Sequence, residues 1–181
     1  MSRARKVMLL GEIGVGKSSL ARRLVFDKFS REYKPTIGVE VYRYDIPAAA
    51  LGGPKSLVEP LSLILWDTDG NFGDAIFRHV YIKQAAAAVI VGDQSRPDTI
   101  DAMLRLARGF ADVLPGRAIH FVLNKDDLAD AAGGSDAEGR LTTPQIAGLG
   151  PIPFIKTSAM SGAMVEQAFI ATAKAILRRG H

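Results

Sequence analysis

Apolar residues are unevenly spread along the chain and gather in three compact runs: Val7-Met8-Leu9-Leu10, Ala85-Ala86-Ala87-Ala88-Val89-Ile90-Val91, and Ala118-Ile119-His120-Phe121-Val122-Leu123. Short, nearly continuous runs predict strands, and the second run predicts a central strand buried on both faces, as in a parallel sheet. It is too short to span a membrane. Between and after the runs the period changes. Ile100, Met103, Leu104, Ala107 and Phe110 predict one amphipathic helix over residues 97–114, and Val165, Phe169, Ala173, Ile176 and Leu177 predict another over 162–179. A third helix is expected to start at Ser19-Leu20-Ala21-Arg22-Arg23-Leu24. The apolar stripes of these helices read as core packing. Strands alternating with helices predict an α/β fold with a doubly wound, mostly parallel sheet.

Composition narrows this picture. With 181 residues, 48% of them hydrophobic, the chain is long enough for one ordinary core and is not a disordered polymer, so a single domain over 1–181 is expected. The net charge of +4 comes from scattered basic residues, which gives no indication of nucleic-acid binding. Arg3, Arg5, Lys6, Arg178 and Arg179 read as solvated ends, the alternative being contact with acidic lipid. The first strand begins too early for a secretory signal, so a cytoplasmic location is expected. There is no cysteine, which excludes disulfides, thiolate metal sites and thioester lipidation.

The first apolar run leads directly into Gly11-Glu12-Ile13-Gly14-Val15-Gly16-Lys17-Ser18. Strand, glycine-rich turn and helix in this order define a P-loop. Gly11, Gly14 and Gly16 let successive N–H groups turn inward toward phosphate oxygens, beside the positive end of the following helix. Lys17 supplies a cation to the β- and γ-phosphates, and the Ser18 hydroxyl is placed to ligate Mg²⁺.

The third run ends in Asn124-Lys125-Asp126-Asp127, at the carboxyl end of a strand, where a parallel sheet faces its ligand crevice. A carboxylate at Asp127 can accept both the ring N–H and the exocyclic amine of guanine. Adenine lacks that pair and would leave the carboxylate unpartnered.

With these residues in place, the chain resembles the Ras superfamily of small GTPases, most closely its Rab-like branch, over nearly its whole length. The resemblance is further carried by Phe29, Tyr33-Lys34-Pro35-Thr36-Ile37-Gly38-Val39-Glu40, Trp66-Asp67-Thr68-Asp69-Gly70 and Thr157-Ser158-Ala159. It implies GTP or GDP bound with Mg²⁺, the phosphates contacted by Gly11, Gly14, Val15, Gly16, Lys17, Ser18 and Ser19. It implies metal ligation by Ser18, Thr36 and, through water, Asp67. Thr36 and Gly70 would reach the γ-phosphate from two switch segments, with Lys17 and the residue at Asn71 completing the hydrolytic set. Phe29 and the Lys125 stem would flank the base, Asn124 would brace the P-loop, and Ser158 and Ala159 would read the guanine carbonyl. The implied partners are an effector, an exchange factor and a GTPase-activating protein at the switch segments.

Several residues depart from the family pattern. Asn71 stands where the family has a glutamine that orients the attacking water. Its amide is ~1.5 Å shorter in reach, a loss on the order of 10²-fold in rate. Ile13 stands where Ras has glycine and would crowd a partner's arginine finger, unless another partner residue compensates. Asp69 replaces alanine and leaves three readings open: repulsion of the γ-phosphate, a contact to Mg²⁺, or a cap on the next helix. The cysteines that carry prenyl groups in Rab-like proteins are missing and Met1-Ser2 does not fit N-myristoylation, so membrane recruitment is expected only through a partner or a weak basic patch. The Ala- and Gly-rich composition fits a bacterial member.

Residues 46–60 form a longer connection between the switches than is usual, with Gly52-Gly53-Pro54 expected as a turn. It reads either as an inert hairpin or as a partner-specific surface. Residues 129–140 are expected to form a loop, leaving Thr143-Pro144-Gln145-Ile146-Ala147 for a short helix. His79 and His120 have no ligand partners at metal-binding spacing, so Mg²⁺ is the only metal expected. Two functions remain: a slowly hydrolysing GTP switch, and a nucleotide-bound interaction module with little or no GTPase activity.

Overall fold

A computed structural model of the chain describes residues 3–32, 34–52, 59–68, 81–128, 145–146 and 150–180. Its centre is a six-stranded sheet in the order β2-β3-β1-β4-β5-β8. These are β1 (Arg3–Leu10), β2 (Val39–Ile46), β3 (Leu61–Thr68), β4 (Ala87–Asp93), β5 (Ala118–Asn124) and β8 (Phe154–Lys156), with the short β6 (Gln145–Ile146) and β7 (Gly150–Pro151) forming a separate pair. Among the described residues the α-helices are α1 (Lys17–Phe26), α2 (Asp98–Val113) and α3 (Val165–Arg178). All ladders of the large sheet are parallel except β2 against β3.

The three apolar runs become β1, β4 and β5. Every residue of β4 is buried, as expected of a strand covered on both faces. Strand alternation sorts the core into two layers. Val7, Leu9, Val89 and Val91 pack with Leu20 of α1 and with Phe169, Ala173 and Ile176 of α3. Met8, Leu10, Ala88 and Ile90 pack with Met103, Ala107 and Phe110 of α2 on the other side. Each large apolar side chain moved from water into these layers contributes about 1.5–3 kcal/mol.

Among the described residues three α-helices therefore cover two faces, and the carboxyl ends of β1, β4 and β5 open onto one edge of the sheet. The order reverses direction about β1, between β3 and β4, which is where a crevice opens in such a sheet.

β2 and β3 pair from Val39 opposite Thr68 to Ile46 opposite Leu61, so the connection between them runs over residues 47–60. After Pro47 the chain makes a turn of 3-10 helix, Ala48–Leu51, and buries Leu51 in the α1 and α3 layer. Gly53 and Pro54, expected within a turn, lie outside the described residues, as do 129–140.

The short helix expected at 143–147 is corrected. Gln145 and Ile146 pair antiparallel with Pro151 and Gly150, making a two-residue ribbon. A five-residue segment gains too few helical hydrogen bonds to offset nucleation, whereas a nearby extended strand supplies partners at once.

Candidate functional site

The P-loop follows β1 and ends at Gly16, whose φ of 98° no residue with a Cβ adopts readily. A Cβ built there would lie 2.3 Å from Asn124 Nδ2, so the loop and the end of β5 meet closely. Gly11 is similarly constrained, since a Cβ would fall 2.3 Å from the Val91 carbonyl oxygen. No side chain caps α1, and its first turn has no acidic residue. That helix end presents positive potential, and the protein carboxylate near it comes from another element, Asp67 of β3.

Lys17 is buried and donates to the Gly11 carbonyl at 2.8 Å and to the Glu12 carbonyl at 2.9 Å, which lays its stem across the loop. Asn124 donates to the Val15 carbonyl at 3.0 Å and accepts from the Ala159 N–H at 3.1 Å. One amide thus ties the P-loop to the segment around Ser158. Ser158 Oγ in turn donates to Asp127 at 2.5 Å.

These elements line one cavity of about 750 Å³, within the range that holds a nucleotide-sized ligand. Gly14, Gly16, Lys17, Ser18 and Ser19 line it at one side, and Asn124, Lys125, Asp127 and Ala159 at another, with Phe29 and Thr36 contributed by the segment after α1. Ile13 also lines it and is 46% exposed at the P-loop lip. Gly11 and Val15 sit beneath, buried.

Asp67, near the end of β3, is 0% exposed, and neither carboxylate oxygen has a hydrogen-bond partner at bonding geometry. Burial pushes its carboxyl up to about 6, while the nearby Ser18 hydroxyl and the Lys17 cation pull it down. Ser18 Oγ lies 2.8 Å from Thr36 Oγ1, so two further oxygens converge there. An orphaned buried carboxylate beside two hydroxyls fits a hard divalent cation. Among the described residues no three His, Cys, Asp or Glu side chains form a metal cluster. Such an ion would therefore depend on hydroxyls, water and ligand oxygens, as Mg²⁺ does with nucleotides.

The second switch is not placed. Asp69, Gly70 and Asn71, together with His79, lie outside the described residues, as does Tyr33 of the first switch. Ala159 and Lys125 are placed, each with a protein partner: the Ala159 N–H faces Asn124, and Lys125 Nζ forms a 2.6 Å ion pair with Asp93. His120 lies in β5, where its Nδ1 meets Thr172 Oγ1 at 2.9 Å.

Three side chains missing from the motif reading help to build the site. Asp93, 1% exposed at the carboxyl end of β4, accepts from Ser95, Arg96 and Lys125. Burial alone would raise its pKa, but Lys125 and Ser95 hold it below the usual carboxylate value. Arg96 also donates to the Ile13 carbonyl at 2.9 Å, linking α2's approach to the P-loop lip. Arg23 joins α1 to the Ala159 segment. The position of Asp93 at a strand's carboxyl end was a usable signal. The two arginines carried none, because charge on a helix pattern does not reveal its partner.

A family model for the Ras family matches residues 6–178. The chain is 32% identical to the Ras-related protein Rab7 of Glycine max over 181 residues, covering 97% of this chain and 84% of that protein. It is 34% identical to the GTP-binding protein ypt3 of Schizosaccharomyces pombe, covering 91% and 72%. The Ras-related protein Rab-32B of Dictyostelium discoideum is 41% identical over 100 residues, a match spanning 55% of this chain and only 36% of that relative. The chain belongs to the Ras family, with Rab proteins among its relatives. Members of this family bind GTP and GDP with Mg²⁺, hydrolyse GTP, and work through regulatory and effector partners.

Proposed function

We propose that residues 1–181 form one guanine-nucleotide switch that binds GTP and GDP with Mg²⁺ and hydrolyses GTP slowly. The observation that carries this reading is the single cavity receiving the P-loop at one side and Asp127 at the other, braced together by Asn124. Lys17, Ser18 and Ser19 hold phosphate, Phe29 and the Lys125 stem flank the base, and Asp127 selects guanine over adenine. Ser18, Thr36 and Asp67 hold Mg²⁺, which when bound neutralises phosphate charge as it develops during attack by water. A cation beside Asp67 would offset the burial that raises its carboxyl to about 6, so metal and nucleotide are expected to bind together.

The first switch presents the partner surface. Ile37 is 91% exposed beside Thr36, and Val41 projects from the edge strand β2. An apolar residue this exposed, next to a γ-phosphate ligand, suits docking by a protein that reads the nucleotide state. Among the described residues no helix is long and apolar enough to cross a membrane, and we read the chain as cytoplasmic, reaching membranes through partners.

The test loads the purified protein with GTP and Mg²⁺, removes free nucleotide and follows the bound species by chromatography. Slow conversion to GDP is expected. GTP persisting unchanged over a day would overturn the hydrolytic part of the proposal, and failure to retain GDP over ADP would overturn the rest.

A further inference from the structure

Arg23 lies on α1, six residues after Lys17, on the side of the helix that faces the Ser158 to Gly162 segment. Its guanidinium is used in three directions. Nε donates to the Ala159 carbonyl at 2.8 Å, Nη2 to the Met160 carbonyl at 2.5 Å, and Nη1 to Asp27 Oδ1 at 2.9 Å. The side chain is only 17% exposed, and its stem lies against Gly162, where a Cβ would come within 3.6 Å of Arg23 Cδ. Asp27, at φ 51°, is the residue that ends α1 and begins the segment leading to Phe29.

From these contacts we infer that Arg23 is the positioning residue that sets base recognition: it fixes the Ala159-Met160 turn to the same helix whose first turn receives the phosphates. This inference rests on the guanine-nucleotide reading of the cavity. Six helical residues advance about 9 Å along the axis, so α1 acts as a spacer between the phosphate cradle and the base turn. The carbonyls of Ala159 and Met160 are held from behind by Arg23, while the Ala159 N–H and Ser158 Oγ face Asn124 and Asp127. Two parallel bonds from a planar guanidinium define orientation as well as distance, which a single ammonium does not. The Asp27 contact continues the linkage to the beginning of the first switch. Its carboxylate is exposed, so that arm contributes little energy and mainly orients the fork.

The full chain is tested as wild type, R23A and R23K, each loaded with GDP and Mg²⁺. Three quantities are read: the GDP dissociation rate, the preference for GDP over ADP in competition, and the competition constant of inorganic pyrophosphate with Mg²⁺, a probe of the phosphate cradle alone. Removing two charge-assisted bonds is expected to speed GDP release and narrow the GDP over ADP preference by about tenfold or more in R23A. The pyrophosphate constant should stay within about twofold. R23K keeps the charge and most of the stem and so preserves the helix, yet it should recover only part of the base preference. The inference is overturned if GDP, ADP and pyrophosphate weaken together in R23A, which marks a merely structural role. It is equally overturned if R23K matches wild type in base preference, and this second variant decides the matter should R23A not fold. A wild-type chain without preference for GDP over ADP would instead sink the nucleotide reading on which the inference rests.

Discussion

Ser18 Oγ and Thr36 Oγ1 lie 2.8 Å apart, although one belongs to the first turn of α1 and the other to the irregular segment before β2. The pair sits next to Asp67, whose buried carboxylate has no hydrogen-bond partner at bonding geometry. Mg²⁺ retention should therefore depend on both hydroxyls. Chelating the metal from the GDP-loaded protein should accelerate nucleotide release, and S18A should shrink that acceleration by about tenfold or more by releasing nucleotide quickly even with metal present. T36V keeps the shape but removes the oxygen. It should speed the release of a non-hydrolysable GTP analogue more than that of GDP. Equal chelation responses in wild type and S18A would dissociate Ser18 from the metal.

Gly16 and Asn124 approach so closely that the conformation of one restricts the identity of the other. In G16A a Cβ would stand 2.3 Å from Asn124 Nδ2, at a φ that costs an L-residue about 1–2 kcal/mol by itself. Asn124 cannot simply withdraw, because it also holds the Val15 carbonyl and the Ala159 N–H. We expect G16A to lower stability by several kcal/mol in total and to abolish nucleotide retention. In a double-mutant cycle with N124A the two losses should be less than additive, since removing the amide relieves the clash but not the φ strain. Strict additivity, measured by urea unfolding, would contradict the close approach.

How far this site was legible follows from what each kind of residue reveals. The P-loop could be read because glycine spacing reports backbone geometry directly, and β1, β4 and β5 because doubly buried strands are almost continuously apolar. Helix limits shifted modestly: α1 starts at Lys17 rather than Ser19, since Gly16 already ends the loop in a left-handed conformation. The 143–147 segment was misread because a short amphiphilic stretch carries no periodicity, and its pairing with Gly150 and Pro151 is a tertiary matter. Arg23 and Arg96 stayed invisible for another reason. Their value lies in carbonyls and a carboxylate brought from elsewhere in the chain, and an arginine in or just before a helix looks the same with or without them.

Asp93 is the charge on which the base side of the site leans. It is 1% exposed and receives Lys125 at 2.6 Å and Arg96 at 3.1 Å. D93A would leave Lys125 and Arg96 without their shared carboxylate, at a cost of about 1–3 kcal/mol, because charge-assisted bonds are lost while both cations keep part of their solvation. R96A should cost less, since that side chain is 39% exposed. It should still loosen the P-loop lip at Ile13. Because folding depresses the Asp93 pKa, its contribution is fully present above the ordinary carboxylate range and is lost as pH falls through that range toward the lower folded value. The unfolding free energy of GDP-loaded D93A should accordingly be less sensitive to acid than that of wild type between about pH 5 and 3. Identical acid profiles would show that Asp93 is not the group responsible.

His120 should give the opposite signature to a stabilising cation, on the face of the sheet away from α2. Thr172 Oγ1 donates its single proton to the Ala168 carbonyl at 2.9 Å, which leaves that oxygen to accept from His120 Nδ1–H, also at 2.9 Å. The neutral ring is therefore satisfied at Nδ1, and a second proton must be added at Nε2. Burial lowers the His120 pKa, a backbone contact at Ala168 partly opposes this, and the Arg178 and Arg179 charges at the end of α3 lower it further. With the folded value below the unfolded one, the neutral form supports the fold. That support is complete above the ordinary value near 6.5 and diminishes as pH falls below it, because the unfolded chain takes up the proton first. In H120Q this component is absent while a polar side chain remains to meet Thr172. The stability difference between wild type and H120Q, both loaded with GDP and Mg²⁺, should shift in favour of H120Q as pH is lowered from about 7.5 to 5.5. That window lies above the ordinary carboxylate titrations, and Mg²⁺ is loaded so that Asp67 is paired with the metal it is proposed to hold. A difference that stays constant across it, measured by chemical unfolding, would mean that His120 holds the same proton in both states.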